Sequence, residues 1–187
     1  MTVRLGEHDI KSSGDNKGVV ERRLSRIYSH LKFKTSPHFW NDIAVLKLDR
    51  EVRFSLTIQP VCLSWSGEDM AGLPATAIGW GRTKDGGPQS SLLREVEVDI
   101  WKQNSCKATY NKVGTVRDEM MCASRPGKDS CTGDSGGPLL VCGQGKGCVQ
   151  LGVASWGIGC AERKYPGVYT RVATFYNWIQ NVIKNDN

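Results

Sequence analysis

The chain has 187 residues, 39% of them hydrophobic and 24% charged, and its 25 basic and 19 acidic side chains give a formal charge of +6. That length supports one sizeable core or two half-domains, and no apolar run is long enough to cross a membrane. The positive charge is spread in short groups such as Arg22-Arg23, without the interleaved aromatics of a single-strand binder, so neither a membrane nor nucleic acid is expected as a partner. Seven cysteines, with no CxxC pair suited to zinc, point to an oxidising compartment. The first twenty residues are polar and charged, unlike a secretory leader, so the sequence is expected to begin inside a longer one.

In chain order, Thr2-Val3-Arg4-Leu5 alternates weakly as a short strand, and Ser12-Ser13-Gly14-Asp15-Asn16-Lys17-Gly18 is a polar loop. Asn41-Asp42 stands before the compact apolar run at residues 43–48, which predicts a buried strand. A carboxylate at that strand entry is partly buried and needs a hydrogen-bonding partner, unless it is an ordinary turn residue. Residues 61–75, with Cys62, Ser66-Gly67 and Pro74, form a connector between half-domains. Glu95-Val96-Glu97-Val98-Asp99-Ile100 alternates without a fault, as a half-buried strand does. Residues 102–110 suit a short helix, while 148–157 and 167–172 suit further strands. Phe175, Trp178, Ile179, Val182 and Ile183 then fall on one face of a terminal helix, with Thr174 as its N-cap.

The stretch richest in chemistry is Lys128-Asp129-Ser130-Cys131-Thr132-Gly133-Asp134-Ser135-Gly136-Gly137-Pro138. It sets a potential nucleophile, Ser135, in a loop too glycine-rich for a helix or an ordinary strand. Its glycines let backbone N–H groups approach a developing oxyanion. A disulfide-pinned surface turn is the plainer interpretation of a bare G-x-S-G, but the whole string resembles the nucleophile loop of trypsin-like (chymotrypsin-fold) serine proteases. That resemblance implies an all-β fold of two six-stranded antiparallel β-barrels, the first incomplete, with a C-terminal α-helix. Residues 1–60 would be the remnant of the first barrel, 61–75 the connector, 76–173 the second barrel and 174–187 the helix.

The resemblance also implies roles. Asn41-Asp42-Ile43-Ala44 is similar to the family motif whose aspartate orients the catalytic histidine, here Asp42. Ser135 would be the nucleophile, and the amides of Gly133 and Ser135 the oxyanion hole. Asp129 resembles the acid at the base of the specificity pocket, which favours Arg or Lys. Ser155, Trp156 and Gly157 resemble the segment that pairs with the substrate backbone, and Gly157 and Gly167 the small residues that keep the pocket open. Cys106–Cys122 and Cys131–Cys160 resemble two family disulfides. Cys142 and Cys148 could close across a hairpin in a departure from the pattern, Ala75 stands where many members carry cysteine, and Cys62 is left to bond an upstream segment. Gly6-Glu7-His8-Asp9 resembles the opening of the calcium loop, but Lys11 and Ser13 depart from it. Pro166 replaces the tyrosine of sodium-responsive members. Neither a metal nor a cofactor is expected.

Two family features are missing. No A-A-H-C-like motif supplies the base that serine needs, and His8, His30 and His38 are each expected on the surface. Asp134 resembles the aspartate that pairs with the ammonium of an Ile-Val-Gly-Gly-like start, so without that start a zymogen-like loop with an unpaired carboxylate is expected. The resemblance thus implies a secreted endopeptidase that acts on proteins or peptides after Arg or Lys, with this chain inactive by itself. The alternative is a non-catalytic homologue that acts by binding.

Overall fold

The computed structural model describes residues 1–12, 18–36, 38–143, 145 and 147–186. Most of the polar loop expected at 12–18, and Gln144 and Lys146 between Cys142 and Cys148, lie outside the described residues.

Strands β1 (Thr2–Leu5), β2 (Val20–Ser29) and β3 (Ala44–Leu48) form an antiparallel sheet in that order. The register pairs Tyr28 with Val45, both partly buried, and Ile27 with Leu46, which are 50% and 46% exposed. The apolar run at 43–48 is therefore a strand with one covered face, not the buried strand that its composition predicts. Among the described residues no hydrophobic cluster covers Ile27 and Leu46.

After the two-residue strand β4 (Cys62–Leu63) come β5 (Pro74–Gly79), β6 (Arg94–Ile100), β7 (Met120–Ser124), β8 (Pro138–Gly143), β9 (Gly147–Trp156) and β10 (Gly167–Arg171). The last six form a barrel in the order β10-β7-β6-β5-β8-β9, closed by the pairing of β9 with β10, and β4 runs parallel to β9 at its side. One closed six-stranded barrel, a smaller sheet and a terminal helix are the chymotrypsin-like plan. The alternation of β6 turns Val98 and Ile100 into the core with Ala123, Leu139 and Tyr169, while Glu95 and Glu97 face water. Helix α1 (Gln103–Tyr110) buries Cys106 and Tyr110, and the Cys106–Cys122 disulfide ties it to β7.

Helix α2 spans Val172–Asn185, starting two residues before Thr174, and its N-cap is Arg171, which makes no side-chain capping bond. Tertiary contacts decide this start. The Arg171 guanidinium donates to Gln103 Oε1 at 2.7 Å and to the Met120 carbonyl at 3.2 Å, and Val172 is fully enclosed. β10 thus runs directly into the helix.

α2 splints the sheet to the barrel. Phe175 and Ile179 pack with Ile43 and Val45 on one side and Leu63 and Val153 on the other. Asp186, just past the helix, accepts hydrogen bonds from Tyr28 and Arg26 and pairs with Lys47 at 2.6 Å. His30 sets its ring edge-on to Phe175 and Trp178, with centroids 5.1 and 5.0 Å apart, so it is not the surface histidine that the sequence predicts. Burial, and then the nearby Lys32, lower its pKa. Because the unfolded chain takes up this proton first, stability is expected to fall as pH drops below about 6.5. Thermal melts between about pH 5 and 8 should show a flatter profile for His30→Gln over that window; parallel profiles would remove His30 as the cause.

Candidate active site

Ser135 lies in the long turn between β7 and β8. Two backbone bonds fasten this turn to β9: Gly136 N–H donates to the Ala154 carbonyl and Ala154 N–H to the Gly137 carbonyl, each at 2.8 Å. Gly133 (φ +100°) and Gly136 (φ +84°) take left-handed conformations that a side chain would strain. The result is an exposed Ser135 whose Oγ makes no hydrogen bond to a described residue. The N–H groups of Gly133 and Ser135 are likewise without a partner among the described residues.

A cavity of about 200 Å³ runs from Ser135 to Asp129, walled by Cys131, Ser155, Trp156, Gly157 and Gly167. The Cys131–Cys160 disulfide anchors this wall. Asp129 Oδ1 accepts from the Ser130 N–H at 2.8 Å and Oδ2 from the Ala161 N–H at 3.4 Å. A Cβ on Gly167 would stand 2.5 Å from Asp129 Oδ1, so only glycine leaves the carboxylate its place there. Burial pushes the Asp129 pKa up to about 6, against the pull of backbone donors at Ala161, Ser130 and Gly167, and the charge of Asp134 adds to the rise. At neutral pH the cavity floor is an incompletely solvated anion, suited to a cation. Gly157, at the rim, is exposed, and its backbone makes no hydrogen bond to a described residue.

Asp42, two residues before β3, is tied to Ser155 on the wall of that cavity. Ser155 Oγ donates to its Oδ2 at 2.6 Å, and Thr170 Oγ1 donates to its backbone carbonyl at 2.8 Å. Asn41 before it is left-handed (φ +50°), its side chain donates to the Lys32 carbonyl at 2.9 Å, and Ile43 N–H closes a tight turn onto the Asn41 carbonyl at 2.9 Å. The barrel thus holds Asp42 in place across 113 residues of sequence.

Asp134 corrects an expectation: its carboxylate is not unpaired. Oδ1 accepts from Gly81 N–H at 2.7 Å and Oδ2 from Cys131 N–H at 2.9 Å. A Cβ on either Gly79 or Gly81 would overlap this carboxylate. A second cavity, of about 350 Å³, lies beyond Cys131 and shares both Asp129 and Asp134.

No described histidine bonds Asp42 or Ser135. The His8 carbonyl accepts from Trp80 Nε1 at 3.1 Å, and His38, partly buried, stacks on Trp156 with centroids 4.9 Å apart. In the segment resembling a calcium loop, Glu7 turns to Arg4 at 3.2 Å and Asp9 accepts the Lys11 N–H at 3.1 Å. Cys142 and Cys148 are bonded, and Cys62 is free and exposed. Sequence reasoning gave no role to Thr170 or to the pair Gly79 and Gly81, and quoted Asn41 only as part of the Asp42 motif. The glycines left a signal in the Gly-Trp-Gly spacing at the end of β5, and Thr170 left none.

Residues 1–179 match the family described as Trypsin. The chain is 37% identical over 96% of its length to a proclotting enzyme of Tachypleus tridentatus, of which it covers 49%. It is 40% identical, again over 96% of its length, to the suppressor of tumorigenicity 14 protein homolog of Bos taurus, of which it covers 21%. Over 92% of its length it is 38% identical to a venom protease of Bombus pensylvanicus, of which it covers 72%. The chain therefore spans about half, or less, of the length of the first two.

Proposed function

The chain belongs to the trypsin family of serine proteases, and on that footing we propose that its cleft takes a peptide with Arg or Lys in the Asp129 cavity and presents the following bond to Ser135. The observation that carries this reading is the half-buried Asp129 carboxylate at one end of a cavity that has Ser135 at the other. A guanidinium or ammonium entering the cavity exchanges water for a partly desolvated anion, and arginine can pair with it bidentately. The free edge at Gly157 suits an extended substrate lying as an added strand. Ser135 Oγ is the nucleophile, the amides of Gly133 and Ser135 receive the oxyanion, and Asp42 is the positioning carboxylate for a base. Cys62 offers a disulfide to an upstream segment, and the three bonded pairs suit an extracellular setting.

No described histidine bonds Asp42 or Ser135, so the 187 residues alone should hydrolyse an arginine ester about a millionfold more slowly than a complete triad enzyme. Turnover near that of a complete enzyme would overturn this. The same observation favours binding without catalysis as the second reading for the isolated chain. Equilibrium binding tests the specificity: peptides ending in arginine should bind and matched peptides ending in glutamate should not. Equal affinities would overturn the role given to Asp129.

A further inference from the structure

Lys32 and Lys34 carry charge that the Asp129–Ser135 cavity does not use. With Leu31, Trp40, Arg117 and Glu119 they line a separate cavity of about 560 Å³, and the two cavities share no lining residue. The turn at 31–41 supplies one side of it and the segment at 117–119 the other. Asn41 ties the turn together by donating to the Lys32 carbonyl at 2.9 Å, and Lys34 and Trp40 exchange two backbone bonds. Both lysines thus stand on an internally bonded turn.

The carboxylates of this cavity are already matched. Asp118 pairs with Lys107 at 2.6 Å, and Glu119 Oε1 lies 3.2 Å from Arg117 Nε. Neither Lys32 nor Lys34 has a carboxylate partner among the described residues. Lys34 Nζ lies 5.9 Å from the centre of the Trp40 ring, and the Arg117 guanidinium 4.7 Å from the same centre. Trp40 Nε1 is buried without an acceptor among the described residues. Two unmatched cations therefore border one concave site, where low-dielectric walls focus the positive field on an incoming anion.

The kind of anion follows from what surrounds the charges. Leu31, at the rim, is 98% exposed, an aliphatic side chain beside two cations. A sulfated glycan or a nucleic acid brings charge but no aliphatic group to cover it. The Trp40 ring, engaged by Lys34 and Arg117, is not a bare platform for a sugar or a base. A peptide supplies both parts, carboxylates for the lysines and an aliphatic side chain for Leu31. We propose that this cavity binds an acidic peptide segment of a partner protein, with its carboxylates at Lys32 and Lys34 and a neighbouring aliphatic residue on Leu31. Because Asn41 lines the cavity and directly precedes Asp42, the docked segment also braces the turn that carries Asp42. The inference stands apart from the role given to Asp129.

The test uses the full 187-residue chain and a fluorescein-labelled peptide, Gly-Glu-Glu-Leu-Asp-Gly, followed by anisotropy. Binding should saturate, and it should weaken at least about tenfold between roughly 50 and 300 mM NaCl. The same peptide with glutamine and asparagine in place of its acids should not bind. Changing Lys32→Gln and Lys34→Gln together should weaken binding about tenfold or more. Lys11→Gln with Lys164→Gln removes the same charge from exposed sites elsewhere and should change it less than about twofold. Leu31→Asn should cost about fivefold. All of these side chains are exposed, so a cooperative melt should be kept in every variant. Equal losses in the two lysine pairs would mean that net charge alone attracts the peptide, and would overturn the proposal. Binding of dextran sulfate without binding of the peptide would assign the cavity to a glycan and overturn it as well. A parallel titration with p-aminobenzamidine keeps the two sites distinct. Amidine bound without peptide defeats this inference alone, and peptide bound without amidine defeats the Asp129 reading alone.

Discussion

Asp129→Asn is expected to weaken binding of p-aminobenzamidine by about a hundredfold to a thousandfold at pH near 7.5 and, at the same pH, to raise the melting temperature of the free protein. The two effects share one cause. The Asp129 pKa stands at about 6 because burial disfavours its charge, so the folded state binds this proton more tightly than the unfolded chain does. The sign follows: Asp129 costs stability above about pH 6, and the cost disappears as pH falls toward the ordinary carboxylate value of about 4. Asparagine removes the charge but leaves one backbone donor facing an amide NH₂. The net gain should be about 1–2 kcal/mol, or roughly 2–8 °C for a chain of this length. Wild-type affinity for the amidine should fall about tenfold per pH unit below pH 6 as the carboxylate protonates. A variant that loses stability and keeps its affinity would show that Asp129 is a structural residue and not the cation receptor.

The second large effect is expected at Gly81. Its N–H donates to Asp134 at 2.7 Å, and a Cβ on it would overlap the same carboxylate. Gly81→Ala must therefore push Asp134 away, breaking the bonds from Gly81 and Cys131 and moving the residue next to Ser135. Overpacking of this kind costs about 1–3 kcal/mol, and a partly buried carboxylate left without donors adds to it. The melting temperature should drop by roughly 5–12 °C, and amidine affinity should fall at least about tenfold although Gly81 does not line the Asp129–Ser135 cavity. Gly86→Ala is a control for the loop. Gly86 has φ +64° and nothing within 4 Å of a built Cβ, so alanine there brings backbone strain without contact with Asp134. Equal losses in both variants would show that Asp134 is not specifically held by Gly81.

Much of the fold was legible where one element carries its own signal. The perfect alternation of β6 gave its two faces, and the apolar stripe on α2 includes the buried Phe175 and Ile179. Burial of β3 was not legible, because an apolar run does not say whether one face or both will be covered. The start of α2 was missed because Arg171 is fixed by Gln103 and Met120, contacts that no local pattern encodes. In the cleft, the Ser135 loop and Asp42 stood out as motifs, but their supports did not. Ser155 meets Asp42 across 113 residues and Gly81 meets Asp134 across 53, the latter through a backbone N–H that any residue type carries. His38 looked like a surface residue because its stacking on Trp156 is a contact across more than a hundred residues, and no local pattern encodes it or the backbone bonds of 3.1 and 2.9 Å that Lys34 and Trp40 exchange beside it.

The central claim is that Asp129, Ser135 and the amides of Gly133 and Ser135 form one site able to hold a tetrahedral centre next to a cation. A boronic-acid analogue of arginine tests all of these groups in one molecule, because boron becomes four-coordinate only if Ser135 Oγ bonds it while the side chain occupies the cavity. The ¹¹B NMR signal of the analogue with the folded chain should shift from trigonal to tetrahedral at a one-to-one ratio. It should stay trigonal with Ser135→Ala and with a glutamate boronate. A trigonal signal for the arginine analogue at saturation, with a chain that melts cooperatively, would contradict the account.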